Sequence, residues 1–271
     1  MRPECPDVAR GAVVFDPLGP DRAGGSEDGA SVVDQLDFWP RVAEARRRLA
    51  DQLEGWGPDV WDRLSMCVDW SVRDVVAHLV SMATVTKTHA LWSYLRAGVN
   101  LDDSSRSLMA AVLAGRSDDQ LLELLRSSAD AHHTPPGLRP EGVLAELVVH
   151  VADITVAIDE PSAIPDDDLV VTLAYLARRV PKNTRFNLTR HGRAPVLDGA
   201  QLVDGLQLRA TDVPWRHGEA GAPLVEGPAD VLVLAIAGRE VGDRLSGPGV
   251  ARLVAVRREV GSSPDPGSSL P

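Results

Sequence analysis

One segment, residues 141–158, constrains the fold more than any other, because it reads as a helix that is buried on nearly all sides. Its sequence is "EGVLAELVVHVADITVAI". At helical spacing, apolar side chains cover most of its circumference: Val143, Leu144, Leu147, Val148, Val151 and Ile154. A helix of this kind must be surrounded by other elements, so the sequence predicts a central helix inside an all-helical domain.

This helix also carries a polar stripe. Glu146, His150 and Asp153 stand at positions i, i+4 and i+7, which share one face. A buried, unpaired carboxylate costs several kcal/mol, and a partner of opposite charge or a metal ion offsets that cost. Two interpretations are therefore open, a structural Glu–His or Asp–His pair and a metal site.

A second histidine, His78, lies in "DWSVRDVVAHLV" on the apolar face of another predicted helix. On its own it is typical of a hydrogen-bonded core histidine. Together with Glu146 and His150 it completes two imidazoles and a carboxylate, the ligand set of a catalytic zinc site with one position left for water or substrate. Non-haem Fe(II) uses the same set. Asp153 could accept the hydrogen bond of an imidazole N–H and so fix its tautomer.

The rest of the chain divides by pattern. Residues 1–33 are rich in Gly, Pro and Asp, a composition that predicts a disordered extension. Residues 259–271 are predicted to form a disordered tail. Between them, helical periodicity marks 34–165 as a helical bundle, with Ser71 and Asp74 as a capping box. Its helices are predicted over 33–56, 71–97, 104–113, 118–130 and 141–158.

Residues 166–258 predict a small α+β domain. A helix over 168–179 is followed by strand-like alternation at Phe186 and Leu188 and again at Leu206, Leu208 and Ala210. A buried helix then begins at Pro228 and ends at Gly238.

The composition argues against some classes of partner and of cellular location. The net charge of −11 argues against nucleic acid as a partner. The two cysteines, Cys5 and Cys67, make a disulfide framework improbable and favour a reducing cytoplasm. We also predict no leader peptide and no membrane span.

Several segments together resemble the mycothiol-dependent maleylpyruvate isomerase family. They are "CVDWSVRDVVAHL", "LAELVVHVADI", "LQLRATDVPW", "GPADVLVLAIAGR" and "LSGPGV". Where the family commonly reads C-P-G-W-T, this chain has Val68 and Asp69 between Cys67 and Trp70. The resemblance implies a DinB-like four-helix bundle followed by a sterol-carrier-like α+β domain.

The resemblance also implies a site and a reaction. The metal, with zinc as the first choice, would be held by His78, Glu146 and His150, and Arg239 would be a catalytic residue that pairs with a carboxylate of the substrate or cofactor. Mycothiol would be the thiol cofactor, activated by the metal for addition to an electrophilic substrate, giving isomerisation or thiol transfer. We expect a monomer or homodimer, and the low lysine content suits the GC-rich bacteria that make this thiol.

Two other functions remain open: a non-catalytic protein that binds an apolar ligand, and a regulatory protein that has lost turnover. The other histidines and Cys67 are not assigned to the site. His132 and His133 adjoin a Pro-Pro turn and are interpreted as surface residues. His89 is not assigned as a ligand, and Cys67 is interpreted as an inert thiol.

Overall fold

The computed structural model of the chain describes residues 37–85, 101–134, 138–178 and 199–261. The predicted extension, His89 and the predicted strand at Phe186 and Leu188 lie outside these residues. So does most of the predicted tail.

Five helices form the first part of the described chain, as the hydrophobic periodicity predicts. They are α1 (Trp39–Trp56), α2 (Val72–Thr84), α3 (Leu101–Leu113), α4 (Asp118–Ser127) and α5 (Pro140–Ile158). Two of them begin at capping boxes, α2 at Ser71 with Asp74 and α4 at Ser117 with Gln120. Each box satisfies backbone N–H groups that the first helical turn leaves without a partner.

Helix α5 is the central element. It packs against α1 and α2 on one side and against α6 (Asp166–Ala177) and α8 (Ala229–Ile236) on the other. Fifteen of its residues are buried, from Gly142 to Ile158, which accounts for its apolar character. Helix α5 is long and apolar. Nevertheless, none of the helices that the structure describes, α5 included, is both long and apolar enough to cross a membrane.

The second part is a small mixed sheet with helices against it. After the short helix α7 (Gly199–Leu202), strands β1 (Gln207–Ala210), β2 (Arg216–His217) and β3 (Leu224–Gly227) form a sheet in the order β2-β1-β3. Strand β1 is antiparallel to β2 and parallel to β3, with Leu208 opposite His217 and Val225. The chain continues through α8 and ends its described part with α9 (Val250–Gly261). The predicted fold class, a helical bundle followed by an α+β unit, is confirmed.

Two differences from prediction have local causes. Helix α2 ends at Thr84 and Val85 is extended, so the prediction that this helix continues unbroken to residue 97 is wrong. Thr84, Val85 and Thr86 are all β-branched, which lowers helix propensity at this point. Strand β3 was not predicted, because its four residues show too little alternation to stand out from the loop around them.

Candidate metal centre

The candidate ligands come from two neighbouring helices. His78 lies in the middle of α2, and Glu146 and His150 lie one turn apart on α5. Their ligand atoms, two imidazole nitrogens and a carboxylate oxygen, all lie within 4.8 Å of one another. The structure therefore brings together the three residues that the sequence singles out.

The separation between Glu146 and His150 suits two ligands of one ion better than a hydrogen-bonded pair. His150 Nε2 and Glu146 Oε2 are 3.6 Å apart, too far for a hydrogen bond. Two donors bound at about 2.1 Å to one tetrahedral zinc ion lie about 3.4 Å apart, close to this separation. Of the two structural pairs that the sequence left open, Glu146–His150 is thus loose, whereas Asp153–His150 is formed, with His150 Nδ1 3.0 Å from Asp153 Oδ2.

In the part of the chain that the structure describes, one buried nitrogen of the His78 imidazole has no hydrogen-bond partner. Among the buried side-chain nitrogen and oxygen atoms in the described part of the chain, its Nδ1 is one that makes no hydrogen bond. Burial lowers the pKa of His78 to about 3, and the neighbouring His150 adds to the effect, while Asp153 opposes it. The imidazole is neutral at pH 7, the state in which it can bind a metal.

The cluster opens to solvent on one side. The Glu146 side chain keeps 46% of its surface exposed, whereas that of His150 keeps 6%. An ion held here would have one accessible side, as a catalytic centre requires and a closed structural site does not.

Asp153 lies behind His150, one turn further along α5, and contacts its imidazole. Its carboxylate is fully buried, and Oδ2 lies 3.0 Å from His150 Nδ1. Burial raises the pKa of Asp153, but hydrogen bonds from Arg239 and His150 outweigh it, and the pKa stays below its usual range. Asp153 is therefore a carboxylate. It accepts a hydrogen bond from His150 Nδ1–H, and Nε2 of the same ring lies on the side of Glu146.

Arg239 reaches this site from the second part of the chain. Its Nε and Nη2 donate to the two oxygens of Asp153 at 2.8 and 2.9 Å. The third nitrogen, Nη1, lies 3.5 Å from the Ala237 carbonyl oxygen. The guanidinium thus lies next to the ligand cluster, and the partner that holds it there is a protein carboxylate.

The end of α8 delivers Arg239 to this position. Gly238 adopts φ +83°, the left-handed region that glycine enters at low cost. Its N–H donates to Ala235 O, and the Arg239 N–H donates to Leu234 O, which is the hydrogen-bond pattern of a Schellman motif. The predicted helix end therefore also directs the Arg239 side chain toward Asp153.

Trp70 is a site residue that the sequence analysis missed. Its indole packs against both imidazoles, with ring centroids 5.2 Å from His78 and 6.1 Å from His150. A tryptophan directly before an N-cap signals packing onto the first turn of its own helix, not onto a histidine of another helix. The loop around it is tied to α5, because Met66 N donates to Asp153 O at 2.9 Å.

The residues set aside from the sequence lie in other surroundings. His132 is exposed and stacks on Trp39, with ring centroids 4.7 Å apart. Cys67 is half-buried in the turn that carries Trp70. Neither belongs to the ligand cluster found in the described residues.

Comparison with known proteins gives one family match. Residues 42–147 match the family described as mycothiol maleylpyruvate isomerase N-terminal domain, a range that includes His78 and Glu146. Two similar solved structures are the mycothiol-dependent maleylpyruvate isomerase, at 18% identity and a TM-score of 0.48, and a mutant of it, at 17% and 0.47. Each comparison covers 80% of this chain and 95% of the other. No curated protein sequence matches the chain.

Proposed function

We propose that this chain is a metal-dependent enzyme that uses mycothiol, because residues 42–147 match the mycothiol maleylpyruvate isomerase N-terminal domain family. The reaction class is cis–trans isomerisation of an electrophilic substrate of the maleylpyruvate type, or transfer of the thiol to such a substrate. The observation that carries the proposal is the convergence of His78, Glu146 and His150 to within 4.8 Å.

These three residues would hold a divalent ion, with zinc the first choice for two imidazoles and a carboxylate. Such an ion lowers the pKa of a thiol that binds it, so that thiolate is available at neutral pH. His78 contributes a neutral imidazole, and Glu146 contributes the negative charge and borders the open side of the site.

Other residues orient and shield the ligands. Asp153 accepts the Nδ1–H of His150 and directs Nε2 toward Glu146. Trp70 packs against both imidazoles, nearly parallel to the ring of His150 and tilted by 58° to that of His78, and shields that side of the site from water. A cytoplasmic location, with its reducing conditions, is part of the proposal because the reaction consumes a free thiol.

The role predicted for Arg239, pairing with a carboxylate of the substrate or of the thiol, stays a prediction. Two of its nitrogens already bind Asp153, so Nη1 is the edge left for such a contact.

The first test is elemental analysis of the protein purified without chelator, beside His150→Ala and the surface control His132→Ala. We expect about one equivalent of a divalent metal in the wild type and the control, and loss of the metal in His150→Ala. Absence of metal from all three proteins, even after reconstitution with zinc, would refute the metal centre and favour the non-catalytic binding protein.

The second test is turnover of maleylpyruvate by the metal-loaded protein with and without mycothiol. Thiol-dependent conversion to the trans isomer supports the proposal. A metal-loaded protein that neither isomerises maleylpyruvate nor forms a thiol adduct with it would refute the enzymatic function while leaving the metal centre intact.

A further inference from the structure

Asp153 is the residue at which three separate parts of the chain meet. Its side chain binds His150 on its own helix and Arg239 beyond α8, and its backbone carbonyl accepts a hydrogen bond from Met66 in the loop before α2. No surface of this residue is exposed. Its position is therefore set entirely by protein contacts.

Arg239 determines which way this carboxylate faces. Both oxygens accept from the guanidinium, Oδ1 from Nε and Oδ2 from Nη2, so the carboxylate plane is held by two hydrogen bonds. Oδ2 is also the oxygen that His150 Nδ1 contacts at 3.0 Å. Because the carboxylate is fixed and can only accept a hydrogen bond, a neutral His150 imidazole carries its proton on Nδ1 and presents the lone pair of Nε2.

We propose that Arg239 is a positioning residue of the metal centre: through Asp153 it holds His150 in the tautomer and orientation that bind the ion. The inference rests on the proposed metal site and goes beyond the sequence prediction, in which Arg239 contacts substrate. Its consequence is that the α+β part of the chain sets the metal affinity of a site whose ligands all lie in the helical part. Groups that orient metal ligands in this way typically change metal affinity 10–100-fold when removed.

The first experiment needs no substitution and no metal. The tautomer of His150 in chelator-treated protein is read by two-dimensional ¹⁵N–¹H NMR of the imidazole, with the signals assigned by comparison with His150→Ala. We expect the proton on Nδ1 in the wild type. A proton on Nε2 would overturn the inference.

The second experiment is a double-mutant cycle on the dissociation constant for Co²⁺. The proteins are wild type, Arg239→Gln, Asp153→Asn, the double variant and Arg47→Gln, whose partner Asp130 lies on the surface. We expect Arg239→Gln to weaken binding by about 10-fold or more, with Arg47→Gln unchanged. In the Asp153→Asn background, Arg239→Gln should have no further effect, because the carboxylate through which it acts is gone.

Each outcome decides between specific alternatives. Equal Co²⁺ affinity in wild type and Arg239→Gln would overturn the inference and leave the proposed function standing. An effect of Arg239→Gln that persists in the Asp153→Asn background would also overturn it, because the guanidinium would then act directly. A wild type that binds no Co²⁺ would refute the proposed function and the inference with it. If Arg239→Gln does not fold, the NMR result and Arg239→Lys, expected to restore part of the affinity, decide the matter.

Discussion

Replacement of Arg239 by Gln should destabilise the metal-free protein far more than removal of an ordinary ion pair. The Asp153 side chain is fully buried and that of Arg239 is 21% exposed, so neither charge is well solvated by water. The substitution removes two charged hydrogen bonds and leaves a buried carboxylate without its counter-ion. Breaking a buried pair in this way costs about 3–5 kcal/mol, a large part of the 5–15 kcal/mol that stabilises a typical domain.

The chain offers a matched control on its surface. Arg47 also pairs with an aspartate, Asp130, but their side chains are 45% and 78% exposed. Because water solvates both charges, Arg47→Gln should cost at most about 1 kcal/mol. The double variant Arg239→Gln/Asp153→Asn should recover part of the lost stability, since it removes the unpaired charge together with its partner.

Urea unfolding followed by circular dichroism, with chelator present, measures these differences as shifts in midpoint at constant slope. A cost for Arg239→Gln no larger than that for Arg47→Gln would refute the reasoning. It would mean that Asp153 is either protonated or reached by water when Arg239 is absent.

Four further predictions concern single residues. Asp69 is exposed and has φ +62°, so Asp69→Gly should raise the free energy of unfolding by about 0.5–1 kcal/mol, whereas Asp69→Val should lower it. Ser71→Ala and Ser117→Ala each remove the hydroxyl of a capping box and should each cost about 1 kcal/mol in urea unfolding. Because Trp70 contacts both imidazoles, Co²⁺ should quench part of the tryptophan fluorescence, and Trp70→Phe should remove that part of the quenching. Burial lowers the pKa of His217 from its ordinary value of 6.5. Below that pH the unfolded chain takes up a proton that the folded protein does not, so the free energy of unfolding should fall as the pH falls. His217→Gln should make the free energy of unfolding less dependent on pH.

Local chemistry explains what could be predicted without coordinates. Capping boxes, the apolar circumference of α5 and the glycine that ends α8 depend on residues within a few positions of one another. The stripe of Glu146, His150 and Asp153 follows from helical geometry alone once α5 is a helix. For the same reason, the choice of His78 as the third ligand needed only the expectation that α2 and α5 are neighbours in a bundle.

What the sequence by itself determined, then, is the main helices of the bundle, the capping box that begins α2, the glycine that ends α8 and the face on which the polar side chains of α5 lie. The tertiary structure alone decided that Asp153 and Arg239, 86 residues apart, form one buried pair, and that Trp70 covers the two histidines. The reason is physical: a helix and its caps arise from interactions within a turn or two of chain. The partner of a buried charge depends on how distant segments of the chain pack together, so it cannot be predicted from a local sequence pattern.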